Sequence, residues 1–154
     1  MWTMGDVTRL LRAQSLVGES WGGRGSTALE RVERGLSIRL GQQLRGFTTG
    51  IGNLRVDPFN IVVAGDDEGR FSTVTETQCL WSENPPLRKA KFVKLMEHAG
   101  EIYLYNPDTE RVAAYDAFRP VTGEETLTWE SFDQFVEWVF EEARAIAKGQ
   151  EFCP

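Results

Sequence analysis

The stretch Gly100 to Asp116, GEIYLYNPDTERVAAYD, constrains the fold of this chain more than any other. Ile102 and Leu104, then Val112 and Ala114, alternate with Tyr103, Tyr105, Ala113 and Tyr115 at a period of two. Successive side chains of a strand point to opposite faces, so this is strand spacing. Between the two runs stands Asn106-Pro107-Asp108-Thr109. Pro107 pre-sets φ, and Asn106 and Asp108 can bond their own backbone, which is turn chemistry. A β-hairpin is expected. Shortly after it comes SFDQFVEWVFEEA, in which Phe132, Phe135, Val136, Val139, Ala143 and Ile146 form one apolar stripe at helical spacing. Ser131 and Gln134 fit a capping box, and Asp133 suits the positive end of the helix dipole. Burying three such side chains contributes about 5–8 kcal/mol gross, enough to dock the helix on a sheet. Hairpin followed by docked helix places the chain in the α+β class.

The region upstream reads as further short elements. Val7, Leu10, Leu11 and Gln14 predict a helix over Asp6 to Ser15, with Asp6 as its cap. The glycines of Gly18 to Gly25 predict a loop. A helix is expected from Ser26 or Thr27 to Arg34, stopped by Gly35, and another from Gln42 to Thr49. Asn60 to Ala64 is short and β-branched, which predicts a strand. Phe71 to Trp81 predicts a strand or irregular structure, Asn84-Pro85-Pro86 a break, and Phe92 to Met96 another strand. No crossover helix separates the expected strands, so the sheet should be antiparallel.

Composition bounds the function. A chain of 154 residues is long enough for one ordinary core and too short for two comfortable domains. The formal charge is −6. Nucleic-acid binding wants a basic face, so this balance argues against nucleic acid and is compatible with a basic protein partner. Cys79 and Cys153 are unclustered, which fits a reducing compartment. No signal-peptide run opens the sequence and no segment approaches the ~20 apolar residues of a membrane span, so a cytoplasmic location is expected.

The search for chemistry returns little. His98 is the single histidine, and no nucleophile lies beside it. One histidine and two separate cysteines make a poor zinc set. The loop Gly18 to Ser26 lacks both the GK[ST] ending and the preceding strand of a phosphate cradle. The acidic turn Asp66-Asp67-Glu68 lacks the alternating ligands and distant Glu of a calcium loop. A carboxylate-based hydrolase would need a concave pocket holding two acids of divergent pKa. No cofactor, metal or catalytic residue is expected.

Three segments carry a resemblance. Glu33 to Phe47 reads E-R-G-L-S-I-R-L-G-Q-Q-L-R-G-F and is followed by Gly50-Ile51-Gly52-Asn53. Gly100-Glu101-Ile102-Tyr103 and Asn106-Pro107-Asp108-Thr109 come next, continued by Val112 and Asp116. Ser131-Phe132 with Phe135 close the set. In this order they resemble the SMI1/KNR4 family, or SUKH superfamily. Its first signature, E-x-x-L-x-I-x-L-P-x-x-L-x-x-F, is met at Glu33, Leu36, Ile38, Leu40, Leu44 and Phe47, with Gly41 in place of the family's Pro. Its hairpin and its S-F-x-x-F helix follow. The segment Arg55 to Leu87 has no counterpart.

The resemblance implies N-terminal helices, a central curved antiparallel sheet and a C-terminal amphipathic helix packed on it. Residues 1–25 would form an N-terminal helix and Gly-rich loop ahead of an SMI1/KNR4-like domain over 26–154, a single compact domain overall. It implies a non-catalytic protein-binding domain, foremost a bacterial immunity protein that neutralises a basic toxin domain. The alternative is a regulatory or scaffold module of the same fold. No partner-binding residue transfers from the family. Charge steering makes Asp66, Asp67, Glu68, Glu124 and Glu125 the candidate contacts, and Trp21, Trp81, Trp129 and Trp138 are candidate aromatic anchors, with Trp81 and Trp138 foremost.

Overall fold

The computed structural model describes residues 1–66, 68, 70–120 and 124–151, with the side chains of residues 150 and 151 left aside. In chain order the elements are α1 (Met4–Ala13), β1 (Gly18–Trp21), α2 (Ser26–Leu36), α3 (Gln42–Gly50), β2 (Asn53–Val56) and β3 (Phe59–Ile61). They continue with α4 (Thr73–Glu83), α5 (Pro85–Lys89), β4 (Val93–His98), β5 (Glu101–Tyr105), β6 (Val112–Asp116), β7 (Leu127–Trp129) and α6 (Phe132–Glu151).

The strands form two antiparallel sheets, β1-β2-β3 and β4-β5-β6-β7, where one central curved sheet was expected. The division has a local cause. After Ile61 the Val62 amide donates to Leu95 C=O at 2.9 Å. The next three amides, of Val63, Ala64 and Gly65, then turn to the Asn53 Oδ1 (2.7, 2.9 and 3.1 Å). A strand whose amides bond a side chain cannot extend a ladder. From the other side, α4 occupies the outer edge of β4. The Lys94 amide donates to Thr77 Oγ1 at 3.0 Å, and the Thr73 hydroxyl donates to Lys94 C=O. Thr73 and Thr77 are one helical turn apart and so share a face. Their hydroxyls satisfy an edge that would otherwise invite another strand.

The hairpin lies where expected. β5 pairs with β6 from Glu101↔Asp116 to Tyr105↔Val112, and the Asn106 side chain accepts the Asp108 amide at 2.9 Å. The last helix also matches its prediction. Phe132, Phe135, Val136, Val139 and Ala143 are buried, and Ile146 is half-buried. Ser131 Oγ accepts the Gln134 amide at 3.2 Å, while the Gln134 side chain accepts the Glu130 amide. α6 packs against β2 of the first sheet and β7 of the second, as well as against α3. It therefore spans both sheets.

Several local expectations change. The Gly-rich loop begins with a strand, because β1 pairs with β2 from Gly18↔Val56 to Trp21↔Asn53. Glycine is required at Gly22, where φ is +71° and a Cβ would stand 1.9 Å from Gly65 O. Asp6 is the third residue of α1 and not its cap. Thr3 caps, in a reciprocal box with Asp6. α2 runs through Gly35 to Leu36, and a Cβ at Gly35 would come within 2.8 Å of Val74, so the glycine lets α2 approach α4. Phe71 to Trp81 is mostly α4 and not a strand. Ser72 caps that helix by accepting the Val74 amide. The β-branched Thr-Val-Thr run misleads here because tertiary packing on β4 overrides propensity. The strand expected over Asn60 to Ala64 is displaced to Phe59–Ile61 by the claim of Asn53 on the following amides.

Candidate functional site: a cleft at the sheet junction

Alternation along the strands decides what each face of the first sheet does. Leu54, Val56, Phe59 and Ile61 point into the core. Glu19, Trp21, Arg55 and Asn60 share the other face, since Glu19↔Arg55 and Arg55↔Asn60 are register partners. The Trp21 indole N–H donates to Asn60 Oδ1 at 2.9 Å, which fixes the ring on this face. Beside it the chain leaves β3, forms the acidic turn and enters α4, passing the edge of β4.

A cleft of about 330 Å³ lies at this junction. Trp21, Asn60 and Val62 line it from the first sheet, Phe71, Thr73 and Glu76 from the start of α4, and the β4 residues Lys94 to Glu97 complete it. The volume is at the small end of the range for ligand sites, roughly 300–1,000 Å³, so it suits a side chain or short segment better than a large cofactor. Phe71 is 74% exposed and holds a positive φ of 55°. A bulky side chain in that region is strained, and here the ring gains little burial in return.

The cleft is charged as well as aromatic. Lys94 Nζ bonds Glu97 Oε2 at 2.8 Å and Glu76 Oε2 at 3.1 Å. Burial pushes the Lys94 ammonium down, but the two glutamates outweigh it and hold its pKa above the ordinary lysine value. Next to the cleft, Asp66 accepts the Arg70 amide at 2.7 Å and the Arg70 Nε–H at 2.8 Å. Desolvation raises the Asp66 carboxyl, and the Arg70 amide and guanidinium together bring it below its usual range. Glu68 reaches the same guanidinium at 3.3 Å.

The predicted contact residues divide. Asp66 and Glu68 stand in the turn that leads into Phe71, and Asp67 lies outside the described residues. Glu124 and Glu125 are exposed in the β6–β7 connection, where Glu125 accepts the Tyr115 hydroxyl at 3.1 Å. No hydrogen bond among the described residues joins the two acidic groups. Trp81 is buried in α4 and not exposed in a loop. Its indole donates to Phe92 C=O at 2.7 Å, and Lys91 sits over the ring at 5.2 Å. It holds α4 to β4 and is not available as an anchor. Trp138 is half-buried and packs at 4.9 Å from Trp129 and 5.6 Å from Phe59. Cys79 carries a free, exposed thiol, and Cys153 lies outside the described residues.

Trp21 was a candidate anchor by sequence, behind Trp81 and Trp138, whereas Phe71, Glu76, Lys94 and Glu97 were not among the predicted contacts. Phe71 carried a readable signal, an aromatic three residues past the acidic Asp66-Asp67-Glu68 run. Glu76, Lys94 and Glu97 come together through folding alone. Among the described residues no group of His, Cys, Asp and Glu is placed to hold a metal ion, and no helix is long and apolar enough to cross a membrane. No protein-family model matches the chain, and no curated protein is detectably similar to it.

Proposed function

We propose that this chain is a non-catalytic protein-binding domain of the SMI1/KNR4 type, working in the cytoplasm as an immunity protein that binds and neutralises a basic toxin domain. The observation that carries the binding role is Phe71, a strained and exposed aromatic beside a carboxylate-lined cleft. An interface with aromatic contact and acidic charge fits a basic partner, because complementary charge speeds encounter and sets specificity. The overall charge of −6 has the same sign.

The resembling segments lie together in the fold, which is compatible with the SMI1/KNR4 reading. Glu33 accepts the Leu40 amide at 2.8 Å and lies 3.6 Å from the Arg45 guanidinium, which ties the end of α2 to the start of α3. The Gly41 amide donates to the Tyr105 hydroxyl at 2.9 Å, a link to the hairpin that belongs to this chain, since the family's Pro at that position has no N–H to donate. Phe47 meets Phe132 edge-on at 4.9 Å, joining it to α6. Glu33, Leu40, Phe47 and Phe132, which follow the family pattern, thus serve one packing unit.

Co-purification of the tagged protein with the product of the adjacent gene tests the reading. A stable complex whose partner kills cells when expressed alone supports immunity. A stable complex with a harmless partner turns it to the regulatory module. Absence of any complex overturns the binding role.

A further inference from the structure

We propose that the cleft at the sheet junction receives an arginine side chain of the partner protein, stacked by Trp21 and Phe71 and held by Glu76 and Glu97. The proposal rests on the protein-binding reading and specifies its chemistry. The cleft already holds one cationic side chain of its own, since Lys94 Nζ lies between Glu76 Oε2 and Glu97 Oε2. Among the described residues, the second oxygen of each carboxylate has no hydrogen-bond partner, so each can accept a further donor. A planar guanidinium has five N–H donors in a fork that can reach both.

The walls suit the rest of that side chain. Val62 and Met96 offer apolar surface for the methylene stem. Trp21 and Phe71 offer ring faces, and a guanidinium over an aromatic face gains both stacking and cation–π attraction. The surroundings favour positive charge. Asp66, Glu68, Glu76 and Glu97 are balanced by Arg70 and Lys94, which leaves an excess of carboxylates. An anionic guest would meet that excess, and an uncharged apolar one would leave the carboxylates without a new donor. An arginine uses both the rings and the charge.

Nuclear magnetic resonance tests this with the peptide acetyl-Gly-Arg-Gly-amide as probe, followed at the Trp21 indole N–H and the Leu95 and Met96 amides. Saturable shifts in the millimolar range are expected. The citrulline peptide, equal in shape and uncharged, should bind at least about fivefold more weakly. Glu97→Gln and Glu76→Gln should each weaken arginine binding about threefold. Phe71→Ala should weaken it as well, and all three positions are exposed enough for the variants to fold. Shifts that never saturate, or equal binding of the citrulline peptide, overturn the proposal. The partner assay separates this failure from that of the binding reading. A partner that binds wild type and Phe71→Ala equally refutes the cleft as the docking place and leaves the binding role standing. Arginine-peptide binding in a protein that captures no partner supports the cleft and refutes the immunity role.

Discussion

The two faces of the first sheet are joined to the rest of the molecule by different chemistry. On the α6 side, Phe59, Tyr103, Trp129, Phe135 and Trp138 form a continuous group of rings from both sheets and the helix. Each favourable ring pair adds roughly 0.5–1.5 kcal/mol beyond area burial. On the opposite side the link between the sheets is polar. It runs through the Val62 amide bonded to Leu95 C=O, with the Asn53 side chain ordering the chain that follows and the threonine hydroxyls of α4 and the Lys94 ion pairs fixing α4 on β4. Hydrogen bonds fix direction and distance but do not fill space, so a cleft persists there. Hydrophobic packing closes one face of the junction and a directional network leaves the other open.

The comparison breaks first at the rings. Phe135→Ala should cost about 3–5 kcal/mol in urea unfolding, since the side chain is fully buried. A loss under 1 kcal/mol would show that the ring group does not hold the two sheets. Asn53→Ala removes donors to Trp21 O and Gly65 O and the acceptor of three amides. Stranding several buried groups should cost at least about 3 kcal/mol. Hydrogen exchange should speed most at residues 63 to 65, and protection unchanged there would mean that Asn53 does not organise the junction. Thr77→Val keeps the shape and leaves the Lys94 amide without its acceptor, for about 1–3 kcal/mol. A neutral result would assign the β4 edge to apolar contact alone.

Alkaline titration sharpens the same contrast. Burial pushes the hydroxyls of Tyr103, Tyr105 and Tyr115 up to about 12. A folded pKa above the unfolded one gives stability that is complete below the unfolded value and disappears as pH rises through the folded one. Stability should therefore hold up to pH 10 and fall between 10 and 12, with Lys94 adding to the loss above 10.5. Tyr105→Phe should flatten part of that decline, and an unchanged curve would exclude this tyrosine from it. The smallest effect belongs to Phe71→Gly. The ring is exposed and its φ is positive, so stability should change by less than about 0.5 kcal/mol or rise slightly. A large loss would make Phe71 part of the core linkage and not of the open face.

The hairpin and α6 were legible because each is locally determined. Alternation with a Pro-Asp turn leaves Ile102 to Tyr115 one good geometry, and the stripe from Phe132 to Ile146 does the same for a helix. α4 was hidden because Thr73 and Thr77 look like strand residues and are buried to serve another element's edge. The candidate site was only partly legible. The acidic turn stood out by composition, but its usefulness depends on Phe71 standing at a cleft that sequence does not show. Trp81 was misplaced for the same reason, since only the fold packs it into the core and brings its indole N–H to the Phe92 carbonyl.

Sequence by itself determined the α+β class, the antiparallel hairpin, the amphipathic last helix and the acidic balance, because periodicity and charge are properties of neighbours in the chain. Tertiary structure alone decided that there are two sheets, that Asn53 ends the first at the junction, and that Trp21, Phe71, Glu76, Lys94 and Glu97 share one cleft. Those outcomes depend on which distant groups satisfy buried amides and charges, and hydrogen bonds between residues 10 to 30 or more positions apart leave no periodic trace in the chain.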